Sequence, residues 1–389
     1  MDEREYWVGF SVFPGIGPLK FKALLQRFGT AKDAWSARKG DLQKIIGEVL
    51  SNKFDRFRSE FSIKLYLSKL KEKRVSFVLT ADKEYPKLLA QIKNPPFVLY
   101  IKGEGALLGN DPAKRGVPSL RQNQSPASAT PRTIAVVGTR RITNYGREVT
   151  EMFVHELVDA GFTIVSGLAL GVDAVAHKSA LEARGKTIAV LGCGVDCCTP
   201  AENQALYNSI VSGRGCVISE LPLGHPPTKG SFPSRNRIIA GLSLGVLVTE
   251  GAEDSGSLIT ADYAFKFNRK VFAVPGPITS GLSKGPYKLI KKGAKLVTTG
   301  EDILYEFKSQ NSPLRPAQRD FAGQAKLRNV TKEEDKILKI LENEAMNFDE
   351  IVRHSGFDSG KIGSILSVME IRGLIESTDG GMFGIIRET

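Results

Sequence analysis

From Thr133 onward the sequence alternates short β-branched runs with stretches of helical period, and this rhythm restricts the fold more than any other feature. The runs are Thr133–Val137, Phe162–Val165, Thr187–Leu191, Cys216–Ser219, Gly245–Thr249, Val271–Val274 and Lys295–Val297, with helical segments such as Arg147–Ala160 and Val172–Ala183 between them. Strands that are apolar on both sides of the pleat must be covered on both faces, and strand–helix–strand crossovers align them in parallel. The sequence therefore predicts an α/β fold: an extended Rossmann-like doubly wound parallel sheet, here assigned to residues 76–308. Ahead of it, residues 1–75 read as a helical domain of helix-hairpin-helix or SAM-like type. Leu24, Leu25 and Phe28 recur there at helical spacing behind the turn Pro14-Gly15-Ile16-Gly17. Residues 330–389 hold three helical patterns, then Leu374-Ile375, the turn Thr378-Asp379-Gly380-Gly381 and Met382–Ile386, which together describe a winged helix. Residues 106–132, rich in Gly, Pro, Ser, Asn and Gln, read as a flexible insertion, and 309–329 as a polar linker.

Charge divides the chain in the same way. The net charge is +12, but residues 330–389 carry 7 basic and 12 acidic side chains, so the remainder holds a surplus of 17. Residues 1–105 alone carry 20 basic and 12 acidic groups. A basic body is consistent with a polyanion partner, and equally with mere solubility. No run of 18 apolar residues is available for a membrane span, and the N-terminal MDEREYW has acids where a secretory signal needs a basic stretch. Four cysteines in 389 residues make no disulfide framework. Cys193, Cys197 and Cys198 have no usual zinc spacing and read as free thiols. These features predict a cytoplasmic protein with no cofactor and no metal.

Four segments fall just past predicted strands, and so converge on one edge of the sheet. The first is Gly138-Thr139-Arg140-Arg141-Ile142-Thr143-Asn144-Tyr145-Gly146, where two arginines stand in place of the inner glycines of a dinucleotide turn. An ordinary βα turn with solvated arginines reads the same. The second, Ser166-Gly167-Leu168-Ala169-Leu170-Gly171-Val172-Asp173, offers small residues for close approach and Asp173 as a helix cap. His177, one turn further on, reads as a packing or hydrogen-bonding residue. In the third, Ser231-Phe232-Pro233-Ser234-Arg235-Asn236-Arg237, an aromatic precedes two guanidiniums just before an apolar helix. That combination stacks a base and holds phosphates in single-stranded nucleic acid, or else Phe232 fills the core and the arginines pair with acids. The fourth, Glu250 to Thr260, contains Ser255-Gly256-Ser257, whose N–H and hydroxyl groups suit a phosphate or simply cap a helix. No P-loop and no GxSxG elbow is present. The edge reads as built to bind rather than cleave. The alternative is a nucleotide-processing enzyme of N-glycosidic hydrolase type using Glu250 as its acid, although the PGGxGTxxE signature of such enzymes is absent.

The segments VVGTRRITNYG, IVSGLALGVDAVAH, FPSRNRIIAGLS, SGSLITADYAF and VFAVPGPI resemble one family, the bacterial DNA-processing protein A (DprA/Smf) family, from about residue 7 to the C-terminus. The resemblance implies a single-stranded DNA-binding recombination mediator, not an enzyme, that protects incoming DNA during natural transformation. It implies loading of the RecA recombinase in the presence of single-strand-binding protein, and a homodimer formed through the Rossmann domain. Carried over by position, Arg140 becomes the phosphate-binding arginine, with Arg235, Asn236 and Arg237 in the FPxRNR stretch and Ser255, Gly256 and Ser257 in SGSLITA. The wider expected interface adds Gly138, Thr139, Arg141, Gly146, Ser166, Gly167 and Phe232. Leu170 stands where the family usually has Arg or Lys, Thr199 where Tyr is usual, and Tyr287 where Asn is usual. The acidic winged helix is expected to contact protein rather than DNA. The turn Pro14–Gly17 is expected to be a plain helix connector, although its backbone amides also suit a phosphate.

Overall fold

The computed structural model describes residues 1–107, 132–308, 331–341, 346–371, 374–378 and 382–385. The chain divides into two compact units, Met1–Asn311 and Ser312–Thr389. Nearly all of the expected insertion and linker, and the turn 379–381, lie outside the described residues.

In the first unit, nine strands among the described residues form one sheet. They are β1 (Val75–Leu79), β2 (Val98–Gly103), β3 (Thr133–Val137), β4 (Thr163–Ser166), β5 (Lys186–Val190), β6 (Gly215–Ser219), β7 (Gly245–Val248), β8 (Lys270–Ala273) and β9 (Lys295–Leu296). Their order is β1-β2-β6-β5-β4-β3-β7-β8-β9. Neighbours from β6 to β9 are parallel, while β2 runs antiparallel to both β6 and β1. The seven runs read from the sequence coincide with β3–β9 to within one residue at each end.

The pleat sorts the side chains of these strands into two cores. Ala135 and Val137 of β3 pack with Val246, Val248, Ile238 and Ile239 on one face. Ile134 and Val136 join Phe153, Leu157 and Ala176 on the other. From β3 the chain builds outward through β4 and β5 to β6, then crosses back along the helix Ser231–Leu242 to lay β7 beside β3. Strand order reverses between β3 and β7, and loops leaving a doubly wound sheet at such a point splay apart to form a crevice.

The helices Glu3–Val12, Pro18–Phe28, Ala31–Ser36, Lys39–Ile46, Glu48–Glu60 and Ile63–Glu72 surround an aromatic core of Phe10, Phe21, Trp35 and Phe54. The same core takes in Leu79 of β1 and Val98 and Tyr100 of β2, so the helical layer is built onto the antiparallel end of the sheet. The Tyr100 hydroxyl is 2.5 Å from the Ser11 hydroxyl.

The second unit holds helices Lys332–Ile340, Phe348–Ser355 and Ser359–Ile371. Beside them lies a sheet of β10 (Met346–Asn347), β11 (Ile375–Thr378) and β12 (Met382–Ile385) in the order β10-β12-β11. Capping boxes at Thr331/Glu334 and Asn347/Glu350 start its first two helices. Ile337, Ile351, Ile362 and Met369 fill its core, and the arrangement is a winged helix.

Candidate nucleic-acid interface

The turns after β3 and β7 are fastened to each other. The Thr139 N–H donates to the Glu250 carbonyl at 2.7 Å. The Glu250 carboxylate accepts from the Thr143 N–H at 3.0 Å and from its hydroxyl at 2.8 Å. The same Thr143 oxygen caps the helix Asn144–Asp159 by accepting from the Gly146 N–H at 3.0 Å. There is no room for side chains here. A Cβ at Gly138 falls 2.6 Å from the Glu250 carbonyl, and one at Gly146 falls 2.3 Å from its carboxylate. The tight turn leaves Arg140 and Arg141 exposed, and among the described residues neither has an acidic partner. The Arg140 guanidinium lies 5.8 Å from the centre of the Phe232 ring, within cation–π range.

Beneath these two arginines lies a third. Arg235 projects from the crossover helix and is only 5% exposed. A Cβ at Gly167 would sit 1.4 Å from its Nη1, so Gly167 is the slot that admits the guanidinium. Its Nε and Nη1 have no hydrogen-bond partner. Burial pulls its pKa down, with Asp173 opposing. Burial likewise raises the Asp173 carboxyl, against the pull of Arg235 and of the Gly167 and Ala169 N–H groups that it accepts at 3.1 and 3.4 Å. Asp173 thus shapes the loop around Arg235, a role beyond the capping expected of it. His177 is buried, with Nδ1 2.6 Å from the Thr187 hydroxyl. That hydroxyl donates to the Ile164 carbonyl, so Nδ1 carries the imidazole proton. Burial lowers the His177 pKa to about 3, and the ring is neutral.

The cleft above Arg235 has a volume of about 460 Å³. It gathers Gly138, Thr139, Arg140, Arg141, Phe232, Arg235, Asn236, Ser255, Gly256 and Ser257 from three of the four sequence segments, while the second contributes Ala169 and Asp173. Gly167 lies behind it against Arg235, Ser166 donates to the Val136 carbonyl at 2.7 Å, and Gly146 supports the first turn. The Ser255 and Ser257 hydroxyls are 2.8 Å apart at the start of helix Ser257–Lys266, and Asn236 Nδ2 reaches the Gly256 carbonyl at 3.3 Å.

Arg237 is not part of the cleft. It donates to the Asn94 carbonyl at 2.7 Å and pairs with Glu220. The sequence pattern predicts both arginines ahead of the helix, but the helix already begins at Ser231. Two residues apart on a helix are about 200° apart in direction, so Arg235 and Arg237 face opposite ways. Pro233, Ala252 and Ile259 also line the cleft, and no sequence signal marks them. Leu170 is 38% exposed and Tyr287 donates to the Gly276 carbonyl. Thr199 precedes Pro200 through a cis peptide. Among the described residues no cluster of His, Cys, Asp and Glu suits a metal, and no helix is long and apolar enough to cross a membrane.

Residues 120–308 match the family model for DNA recombination-mediator protein A, and residues 322–381 match the DprA winged helix domain. A Smf protein of Synechocystis is 34% identical, across 97% of this chain and 98% of that protein. The chain belongs to the DprA family. The DprA crystal structure from Streptococcus pneumoniae superposes with a TM-score of 0.65 at 35% identity, covering 79% of this chain and 98% of that one. DprA from Helicobacter pylori, whose structure was reported for its single-stranded DNA binding mode, gives a TM-score of 0.50 at 30% identity over 61% of this chain and 97% of that one. Family membership bears out the resemblance drawn from the Rossmann segments and the winged helix.

Proposed function

We propose that the chain binds single-stranded DNA in the cleft at the strand-order reversal and acts as a recombination mediator that protects incoming DNA and loads RecA during natural transformation. One observation carries the binding reading: a buried guanidinium, Arg235, with two nitrogens that lack hydrogen-bond partners, beneath a pair of exposed arginines that no acid among the described residues neutralises. Asp173 offsets part of the buried charge, but the two nitrogens still lack acceptors, and an incoming phosphate is the acceptor that their position suits. Phe232 adds a ring on which a base can stack, and the helix start at Ser255-Gly256-Ser257 adds donors. The related H. pylori DprA is described as binding single-stranded DNA. Both oxygens of Glu250 serve Thr143, which favours binding over the hydrolase alternative. The winged helix, with its acidic surplus, serves protein contacts, and the mediator works as a homodimer with RecA and single-strand-binding protein as partners. Arg140→Ala should weaken binding of a dT oligomer at least tenfold at fixed salt. Wild-type affinity in that variant would remove the cleft from the proposal. Release of free base from a nucleotide panel would instead favour the enzyme.

A further inference from the structure

The turn Pro14-Gly15-Ile16-Gly17, which the cleft leaves unused, borders a second and larger groove of about 890 Å³ in the first unit. Its other walls are Gln91–Asn94 and the end of the helix Ser257–Lys266 with Phe267. The lining contains Lys20, Lys93, Lys266 and Arg237, and neither Asp nor Glu. Arg237 is already paired with Glu220. The three lysines are exposed, and among the described residues none is in an ion pair; Lys20 Nζ donates to the Gly15 carbonyl at 3.2 Å. The helix Pro18–Phe28 begins at this wall with Gly17 as a cap that supplies no side-chain acceptor, so the positive end of its dipole is uncompensated there.

On the facing wall the rings of Tyr263 and Phe267 stack with centroids 5.8 Å apart and planes 22° apart. Lys266 Nζ lies 5.5 Å from the Tyr263 ring centre. The carbonyls of Tyr263, Ala264 and Phe265 at this helix end are satisfied by the N–H groups of Phe267, Asn268 and Arg269, and Lys266 sets a cation there against the negative end of the dipole. Unpaired lysines beside a stacked aromatic pair, with no acid in the lining, suit a strand whose bases are free to stack and whose phosphates seek cations.

The two sites are joined by one element. Ser257 lines the cleft and Lys266 lines the groove, at opposite ends of a 10-residue helix. That helix spans about 15 Å, or four to five nucleotides at the roughly 3.4 Å spacing of a stacked strand.

We infer that the groove is a second subsite for the same strand. A single-stranded DNA anchored in the cleft runs along helix Ser257–Lys266, sets further bases against Tyr263 and Phe267, and lays its phosphates against Lys20, Lys93 and Lys266. This inference rests on the reading that the cleft holds single-stranded DNA.

The test compares dT4 with dT20 by fluorescence anisotropy on the full chain, with fold checked by circular dichroism. The triple variant Lys20→Glu, Lys93→Glu, Lys266→Glu should bind dT4 within twofold of wild type and dT20 at least tenfold more weakly. Its salt slope on dT20 should be shallower by about 2, at roughly 0.7 for each phosphate that is no longer neutralised. A control reversing Lys53, Lys64 and Lys69, which line neither pocket, should leave dT20 binding much closer to wild type. Equal losses in the triple variant and the control, equal losses on dT4 and dT20, or a larger loss on a 20-base-pair duplex would each overturn the subsite. The cleft reading fails separately: Arg140→Ala would then leave dT4 binding intact while the triple variant still bound dT20 poorly.

Discussion

Arg235 is a buried charge with one oppositely charged neighbour, Asp173, and an incomplete set of hydrogen bonds. Its Nε and Nη1 are buried without hydrogen-bond acceptors, a desolvation cost that Asp173 offsets only in part. Arg235→Met keeps the length of the side chain and removes the charge. Its urea midpoint should fall, because the buried Asp173 carboxyl loses the guanidinium that favours its charged form, while dT affinity falls at least tenfold. Gly167→Ala should have the same binding defect by displacing the guanidinium from its slot. Lost stability with intact binding in Arg235→Met would mean that the residue is structural. His177 predicts a pH effect of definite sign. Its folded pKa of about 3 lies below the ordinary 6.5, so below pH 6.5 the unfolded chain takes up a proton that the native one refuses. Stability is therefore lost as pH falls, by about 1.6 kcal/mol between pH 6.5 and 5. Asp173, whose carboxyl is raised by burial, works in the opposite direction. The quantity to measure is thus the difference between wild type and His177→Gln in urea melts at the two pH values, and that difference should narrow by about this amount at the lower pH.

At the scale of elements, the site depends on how two turns are held rather than on the strands beneath them. Glu250→Ala leaves the Thr143 N–H and hydroxyl without acceptors, which should cost about 1–3 kcal/mol in a chemical melt. It should also weaken dT binding, because the turn carrying Arg140 and Arg141 loses its fastening. Unchanged binding in a destabilised variant would show that the turn holds its shape unaided. Sequence pattern located β3–β8 closely because strands buried on both faces are written as nearly unbroken apolar runs, whereas Lys295 and Leu296 of β9 are exposed. It located the cleft through the residues that follow those strands. It was silent on Arg235 being buried, since nothing local distinguishes a guanidinium seated against Gly167 from one in water. It misplaced Arg237 for a different reason: Pro233 looks like a helix breaker, yet proline is tolerated in a first helical turn, and the helix starts two residues before it.

For the whole molecule, net charge is a poor guide to where DNA is held. The Rossmann residues 133–308 carry 19 basic and 16 acidic groups, so on the proposed reading affinity there comes from the placement of a few arginines rather than from a broad field. With Arg140, Arg141 and Arg235 each neutralising one phosphate, log affinity for dT4 should fall with log salt at a slope near −2, measured between 50 and 200 mM. A slope near zero would point to stacking alone. The antiparallel insertion of β2 beside β6 has a different consequence. Everything from Met1 to Gly103 is tied to the rest of the sheet through the pairs Tyr100–Ser219, Ile101–Ile218, Lys102–Val217 and Gly103–Cys216, and not only by chain continuity between β2 and β3. The first unit is in effect two interlocking pieces. Fragments 1–107 and 132–389, produced as separate polypeptides in one cell, should find each other and copurify as a reconstituted protein.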